Sequence, residues 1–298
     1  MDIKLETNGI ISLSIYRTIF NQLLTPELFQ ISPSTPDPIL IARTSSDDRV
    51  ALISALFAYG RVKAILKFLD SFPWEGLKRA IPIPSTFCYR FQNSTDIDHL
   101  LGILRELGEG GLKELFLIGY SQRKEVMDGI GKIIDYFYSN TSYRSQGFQF
   151  LIGKIPPSDN FKGSSPYKRW NMFLRWMVRD GPPDLGRWDE VSPANLLIPL
   201  DVHTHRTALR LGLVNRKSAD LETVYRLTNT LRQLDGKDPV KYDFLLYRLG
   251  QWNLERQLLE LGEIVAKKGL EQVEELVKQF WSGKKSLIDQ RKRDWEKR

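Results

Sequence analysis

Apolar residues recur along most of the chain at the 3.6-residue period of a helix. After Asp47 and Asp48, both good helix N-caps, Val50, Ile53, Leu56, Phe57 and Val62 fall near one face. Ile97, Leu100, Leu101, Leu104 and Leu107 form a second stripe behind the polar run 93–96. Ile130, Ile133, Ile134 and Phe137 form a third. Trp170, Phe173, Leu174, Met177 and Val178 keep the i, i+3, i+4, i+7, i+8 spacing of an amphipathic helix. Residues 221–234 and 238–249 continue the pattern, and 255–280 reads as one long helix. The best strand candidate is FQFLIGKI, residues 148–155. Pro and Gly punctuate the chain at 32–38, 80–86, 155–166 and 180–186. No internal repeat is visible. The pattern predicts an all-α fold.

Composition narrows the class. A chain of 298 residues with 42% hydrophobic residues is long enough to bury a core without staples. The single cysteine, Cys88, excludes a disulfide framework, a Cys-rich zinc module and a four-Cys iron–sulfur cluster. No apolar run approaches the roughly 18 residues of a membrane span, and MDIKLETNG is too polar for a signal peptide. The expected protein is soluble and cytoplasmic, without a membrane partner.

The net charge of +7 is weak evidence by itself for an anionic partner, and its placement adds more. Residues 161–179 hold five basic residues (Lys162, Lys168, Arg169, Arg175, Arg179) and no acid. Residues 202–218 hold Arg206, Arg210, Arg216 and Lys217, two histidines and again no acid. The last 17 residues carry seven basic and three acidic side chains. A charge run is either a solvated face or a phosphate-binding one. On residues 164–179, Lys168, Met172, Arg175 and Arg179 lie on a stripe separate from the apolar one. That arrangement suits an anion outside a packed helix.

In NLLIPLDVHTHRTALRLGL, residues 195–213, Asp201 opens an amphipathic helix. An N-cap carboxylate there satisfies first-turn amides and favours the positive dipole end. His203 and His205 form an H-x-H pair, a common metal fragment. That spacing needs a strand or turn to converge both rings, and this segment reads as helix. The only other histidine is His99.

Taken together, residues 168–212 resemble the catalytic stretch of the helix-hairpin-helix DNA glycosylases, the superfamily of endonuclease III and the 8-oxoguanine glycosylases. In that superfamily a lysine starts a helix after a hairpin, and a P-[LV]-D-x-H-like segment supplies an aspartate at the next helix start. Lys168 and Asp201 take those places. Asp201-Val202-His203 is closest to the 8-oxoguanine branch, where the histidine contacts a DNA phosphate. The 33-residue step from Lys168 to Asp201 is similar to that of the archaeal oxidised-guanine glycosylases. The whole chain also looks like a bacterial family of unknown function. The hairpin is degenerate: KGSSPYK, residues 162–168, has one glycine where the superfamily has two.

The resemblance implies two helical subdomains flanking a DNA-binding cleft, at residues 47–195 with Lys168 and at 1–46 plus 196–252 with Asp201. A basic helical extension at 253–298 has no counterpart. Lys168 would attack the anomeric carbon of a flipped, oxidised base (8-oxoguanine first) as a neutral amine. Asp201 would stabilise the developing positive charge and help deprotonate the amine. The Schiff base would permit AP lyase activity by β-elimination. Arg169, Arg175, His203 and Arg206 would hold phosphates. Tyr59, Gly60 and Arg61 match a duplex-inserted wedge, although Tyr59 also reads as an ordinary core or surface aromatic. Met172, Asp238, Lys241 and Tyr242 would border the base pocket, although 238–250 also reads as a plain amphipathic helix. No cofactor or metal is required. The expected partner is double-stranded DNA with a damaged base, bound by a nucleoid-associated monomer. Two alternatives from other classes remain: a non-catalytic DNA-binding protein on the same fold, and a metal-dependent hydrolase built on His203 and His205.

Overall fold

A computed structural model describes residues 11–26, 28, 29, 31 and 36–296, with side chains described for all of these except 285–289 and 291–296. Most of the 32–38 linker, the N-terminal nonapeptide and the charges of the basic tail beyond Lys284 thus lie outside the described residues. The fold is all-α. Fourteen α-helices and no strand occur among the described residues, and no helix is long and apolar enough to cross a membrane.

The helices are α1 Leu13–Leu23, α2 Ile39–Ala42, α3 Asp48–Leu56, α4 Val62–Asp70, α5 Ser94–Leu107, α6 Gly111–Arg123 and α7 Val126–Ser139. They continue with α8 Gln146–Ile152, α9 Lys168–Val178, α10 Val202–Arg210, α11 Leu221–Leu234, α12 Asp243–Trp252, α13 Glu255–Lys268 and α14 Val273–Glu296. Residues 148–155, the expected strand, are helix and loop instead. Ser145 caps α8 through the Phe148 amide, which commits the backbone to helix before the apolar run begins. The expected single helix 255–280 is broken at Gly269, whose φ of 97° no L side chain adopts easily.

The chain divides into two units. One comprises Met1–Thr35, Phe161–Lys168 and Ser192–Arg298; the other comprises Pro36–Asn160 and Arg169–Val191. These bounds differ from the expected ones in a way that bears on function. The loop 161–168 belongs with the first unit, so Lys168 and Asp201 share one unit. The 253–298 segment is part of the same unit because α1 packs on α11, α13 and α14.

In the first unit, Tyr16, Ile19, Phe20 and Leu23 of α1 are buried at helical spacing, and the Tyr16 hydroxyl donates to the Leu211 carbonyl at 2.7 Å. α10 and α12 meet at Gly250. A Cβ there would lie 2.5 Å from Thr207 Oγ1 and 2.9 Å from the His203 carbonyl oxygen. Only glycine permits that approach, which fixes the helix headed by Asp201.

In the second unit, Arg49 of α3 is buried and donates to Asp47 and to the carbonyls of Leu77 and Leu104. α9 is buried on nearly every side from Phe173 to Val178. A separate outward basic stripe on this helix was expected. Arg175 and Arg179 turn inward instead, onto Asp184 just past the helix end.

Candidate functional site

Asp201 sits at the head of α10 with extended backbone angles, φ −111° and ψ 179°. Its Oδ1 accepts from the His203 amide at 2.9 Å and the Thr204 amide at 2.8 Å. Its Oδ2 faces Lys168 Nζ at 3.5 Å. The two readings of Asp201, helix cap and partner of a reactive lysine, are therefore divided between its two oxygens. The cap holds the carboxylate plane still while the other oxygen meets the amine. The Lys168 side chain remains 35% exposed and that of Asp201 12%. The lysine side chain reaches solvent, and that of the aspartate is largely sheltered.

The environment of α10 accounts for several other candidates. His203 is half-buried, with its ring edge-on to Tyr247 at 5.6 Å and Nδ1 3.4 Å from the Arg206 guanidinium. Arg206 donates to the Gly250 carbonyl and lies 3.6 Å from the carboxylate of buried Glu255. It was expected on a phosphate; here it ties α10 to the end of α12 and the start of α13. His205 is buried, with Nε2 at 2.9 Å from the Arg216 carbonyl. A carbonyl only accepts, so Nε2 carries the proton. Committed in this way, His205 does not converge with His203 on a metal. No group of three His, Cys, Asp or Glu is poised for a metal among the described residues.

Three of the four residues expected at the base pocket belong to one local network in the first unit. Tyr242 is fully buried against Phe20, its hydroxyl donating to Asn21 at 2.9 Å, and burial pushes that hydroxyl well above its ordinary pKa. It is a core residue, not a pocket wall. Lys241 pairs with Asp235 at 2.5 Å and lies over the Tyr242 ring. The Asp238 amide donates to Asp235 Oδ1 at 3.1 Å, and its side chain is partly exposed. Met172, the fourth, is partly exposed on α9 in the second unit.

The second unit carries a different surface around Tyr59. The Tyr59 hydroxyl donates to Gln92 Oε1, and Gln92 Nε2 donates to the Gly147 carbonyl at 2.7 Å. Its ring stacks with Phe91 at 6.3 Å and meets Phe150 edge-on at 5.1 Å. Arg169 donates to the carbonyls of Leu56 and Phe150, with its guanidinium 4.8 Å from the Phe150 ring centroid. Burial pulls its pKa down to about 10, which leaves it charged at neutral pH. Arg169 was expected on a phosphate, and Arg175 likewise; Arg169 braces the aromatic cluster, and Arg175 is sealed on Asp184. Arg61 is exposed at the head of α4.

Sequence reasoning missed the outer part of this surface. Phe91 is 59% exposed and Phe150 42%. Arg90 takes a left-handed φ of 52° in the two-residue turn between Tyr89 and Gln92, and its guanidinium lies over Tyr59 and Phe91. Arg90 also covers Gly60, where a Cβ would come within 2.6 Å of its Nη1. Reading 148–155 as a strand hid Phe150. In a strand Phe148 and Phe150 share a face, whereas in α8 Phe148 is buried and Phe150 is not.

No curated protein and no solved structure matches the chain. A family model described as "Protein of unknown function (DUF2400)" matches residues 37–252. That span covers the whole second unit apart from Pro36, together with the loop carrying Lys168 and the helix headed by Asp201. With most of its length matched, the chain belongs to this family.

Proposed function

We propose that the protein is a DNA glycosylase with AP lyase activity, acting on an oxidised base in duplex DNA, with 8-oxoguanine the first candidate. The observation that carries this reading is the Lys168–Asp201 pair: a reachable primary amine 3.5 Å from a carboxylate oxygen left over from helix capping. An amine nucleophile needs access to its carbon and a group to accept its proton. In the proposed reaction the Nζ lone pair attacks C1′ and the bond from C1′ to the base breaks. The electron pair leaves with the base, and Asp201 takes the proton from the amine. The charge developing on the sugar is opposed by the same carboxylate, held at fixed distance by its cap. The sugar ring then opens: the nitrogen lone pair forms the C1′=N bond as the C1′–O4′ bond breaks, O4′ takes the proton held by Asp201, and the iminium acidifies C2′, so elimination of the 3′ phosphate follows. Such a reaction requires the base outside the stack, at a cost of roughly a few kcal/mol. No cofactor enters these steps.

A second reading, a nucleic-acid-binding protein without catalysis, is favoured by the Tyr59–Phe91–Phe150 surface. Exposed aromatic faces flanked by arginines suit unstacked bases, at about 1–3 kcal/mol per stacked base. That surface needs no lysine chemistry.

The test is reductive trapping. Purified protein is incubated with borohydride and a duplex carrying one 8-oxoguanine, or one abasic site. A covalent adduct that disappears in Lys168→Gln supports the enzyme. Duplex binding without an adduct or base release, over a panel that includes oxidised pyrimidines, supports the binding protein.

A further inference from the structure

The Lys168–Asp201 distance is a tertiary property, since 33 residues separate the two along the chain. Both ends of that distance are fastened to one short segment. Asp220, 5% exposed, caps α11 by accepting the Thr223 amide on Oδ1 at 3.1 Å. Its Oδ2 accepts the Gly163 amide at 2.9 Å. The next residue, Leu221, donates its amide to the Ser164 carbonyl at 3.1 Å. Asp220 and Leu221 thus grip consecutive residues of the loop that ends at Lys168. The left-handed φ of 73° at Gly163 aims its amide at the carboxylate. Arg216 locks Asp220 from the other side through Nε at 3.0 Å and through Nη2. The Arg216 carbonyl accepts from His205 Nε2 at 2.9 Å. His205 lies one turn after Asp201 and makes the first backbone bond of α10, to the Asp201 carbonyl at 2.8 Å.

We propose that residues 216–221 form a bracket that sets the spacing of Lys168 and Asp201, with Asp220 and His205 as positioning residues. The inference rests on the glycosylase reading for its purpose, and on geometry alone for its existence. It gives His205 and Asp220 roles other than metal binding and plain helix capping. All of its parts lie in the first unit.

Asp220→Asn separates the roles. Asn caps a helix about as well as Asp. With its single carbonyl oxygen on the Thr223 amide and Arg216 Nε, its NH2 group faces the Gly163 N–H and Arg216 Nη2, donor against donor. The cap survives and the side-chain grip on Gly163 is lost, leaving only the Leu221–Ser164 backbone bond on the loop.

The test uses the full chain with its lysines reductively 13C-methylated, and reads the Lys168 signal, assigned by its loss in Lys168→Gln. In Asp220→Asn the signal should move from the wild-type position toward that in Asp201→Asn, with a lower melting temperature at neutral pH but a single cooperative transition. Arg216→Gln should move it in the same direction and serves as the second variant if Asp220→Asn folds poorly. His205→Gln, which still offers an amide N–H, should hold the wild-type position better than His205→Leu. On unmethylated protein, single-turnover trapping should slow by roughly ten- to a hundredfold in Asp220→Asn at unchanged duplex affinity. A Lys168 signal that stays at the wild-type position in Asp220→Asn and Arg216→Gln overturns the bracket. A signal that moves while no protein traps DNA, wild type included, supports the bracket and sinks the glycosylase reading.

Discussion

Two cation–carboxylate clusters, one in each unit, show how the same charges serve opposite ends. In the second unit, the Asp184 side chain is completely buried between Arg175 and Arg179, whose side chains are themselves under 10% exposed. Burial pushes the Asp184 carboxyl above its ordinary pKa, and the two guanidiniums pull it back. In the first unit, Lys168 meets Asp201 through one oxygen at 3.5 Å and stays 35% exposed. Planar arginines fill a carboxylate's lone pairs and leave nothing for a ligand, whereas a lysine is a point charge on a flexible stem. Sealing a cluster makes it structural. Leaving one nitrogen reachable and one oxygen underused keeps a pair available for chemistry.

The comparison breaks first at Lys168. Lys168→Gln should abolish borohydride trapping altogether while fluorescence anisotropy reports unchanged duplex binding. Next comes the sealed cluster. Asp184→Ala takes the carboxylate from between two buried guanidiniums and should cost about 3–5 kcal/mol in urea unfolding. A loss under about 1 kcal/mol would mean that the cluster is not the structural member of the two. Asp201→Asn should lower turnover by on the order of a hundredfold with stability held, since Asn preserves the cap. If turnover survives, capping was the whole role of Asp201.

Smaller effects sharpen the contrast between chemistry and binding. Phe91→Ala removes an exposed ring and should leave stability within about 0.5 kcal/mol. It should weaken binding to a duplex with an abasic site by about 1–3 kcal/mol, roughly five- to 150-fold. The slope of affinity against salt should not change, because no phosphate contact is lost. Unaltered affinity would remove the aromatic surface from the binding argument. The smallest effect lies in the acid limb of stability. The Arg216 guanidinium beside Asp220 holds its carboxyl far below the usual value of 3.8. A carboxylate with a depressed folded pKa adds stability above its unfolded value, and that stability is lost as pH falls through the folded one. Thermal melts of the wild type should therefore decline below about pH 4, and Asp220→Asn should flatten that decline.

Much of this was legible from local pattern. The stripes at 97–107 and 130–137 lie on α5 and α7, and Asp47 and Asp201 cap α3 and α10 as their residue types require. The orientation of Arg175 and Arg179 was not legible, because the acid-free window 161–179 ends five residues before the carboxylate that neutralises them. The helical period also puts Lys241 and Tyr242 on consecutive positions without telling which one faces Phe20.

Periodicity, caps and breakers act over a few residues, so the sequence by itself determined that the chain is helical and where α3, α5, α10, α11 and α13 begin. It also determined that a lysine and an aspartate stand at two helix starts. Whether those two meet depends on contacts spanning tens of residues: Gly163 on Asp220, His205 on Arg216, α10 on Gly250. Each is a matter of shape complementarity between segments that no local pattern records. Tertiary packing alone thus decided which cations are sealed, which is reachable, and that Lys168 lies 3.5 Å from Asp201.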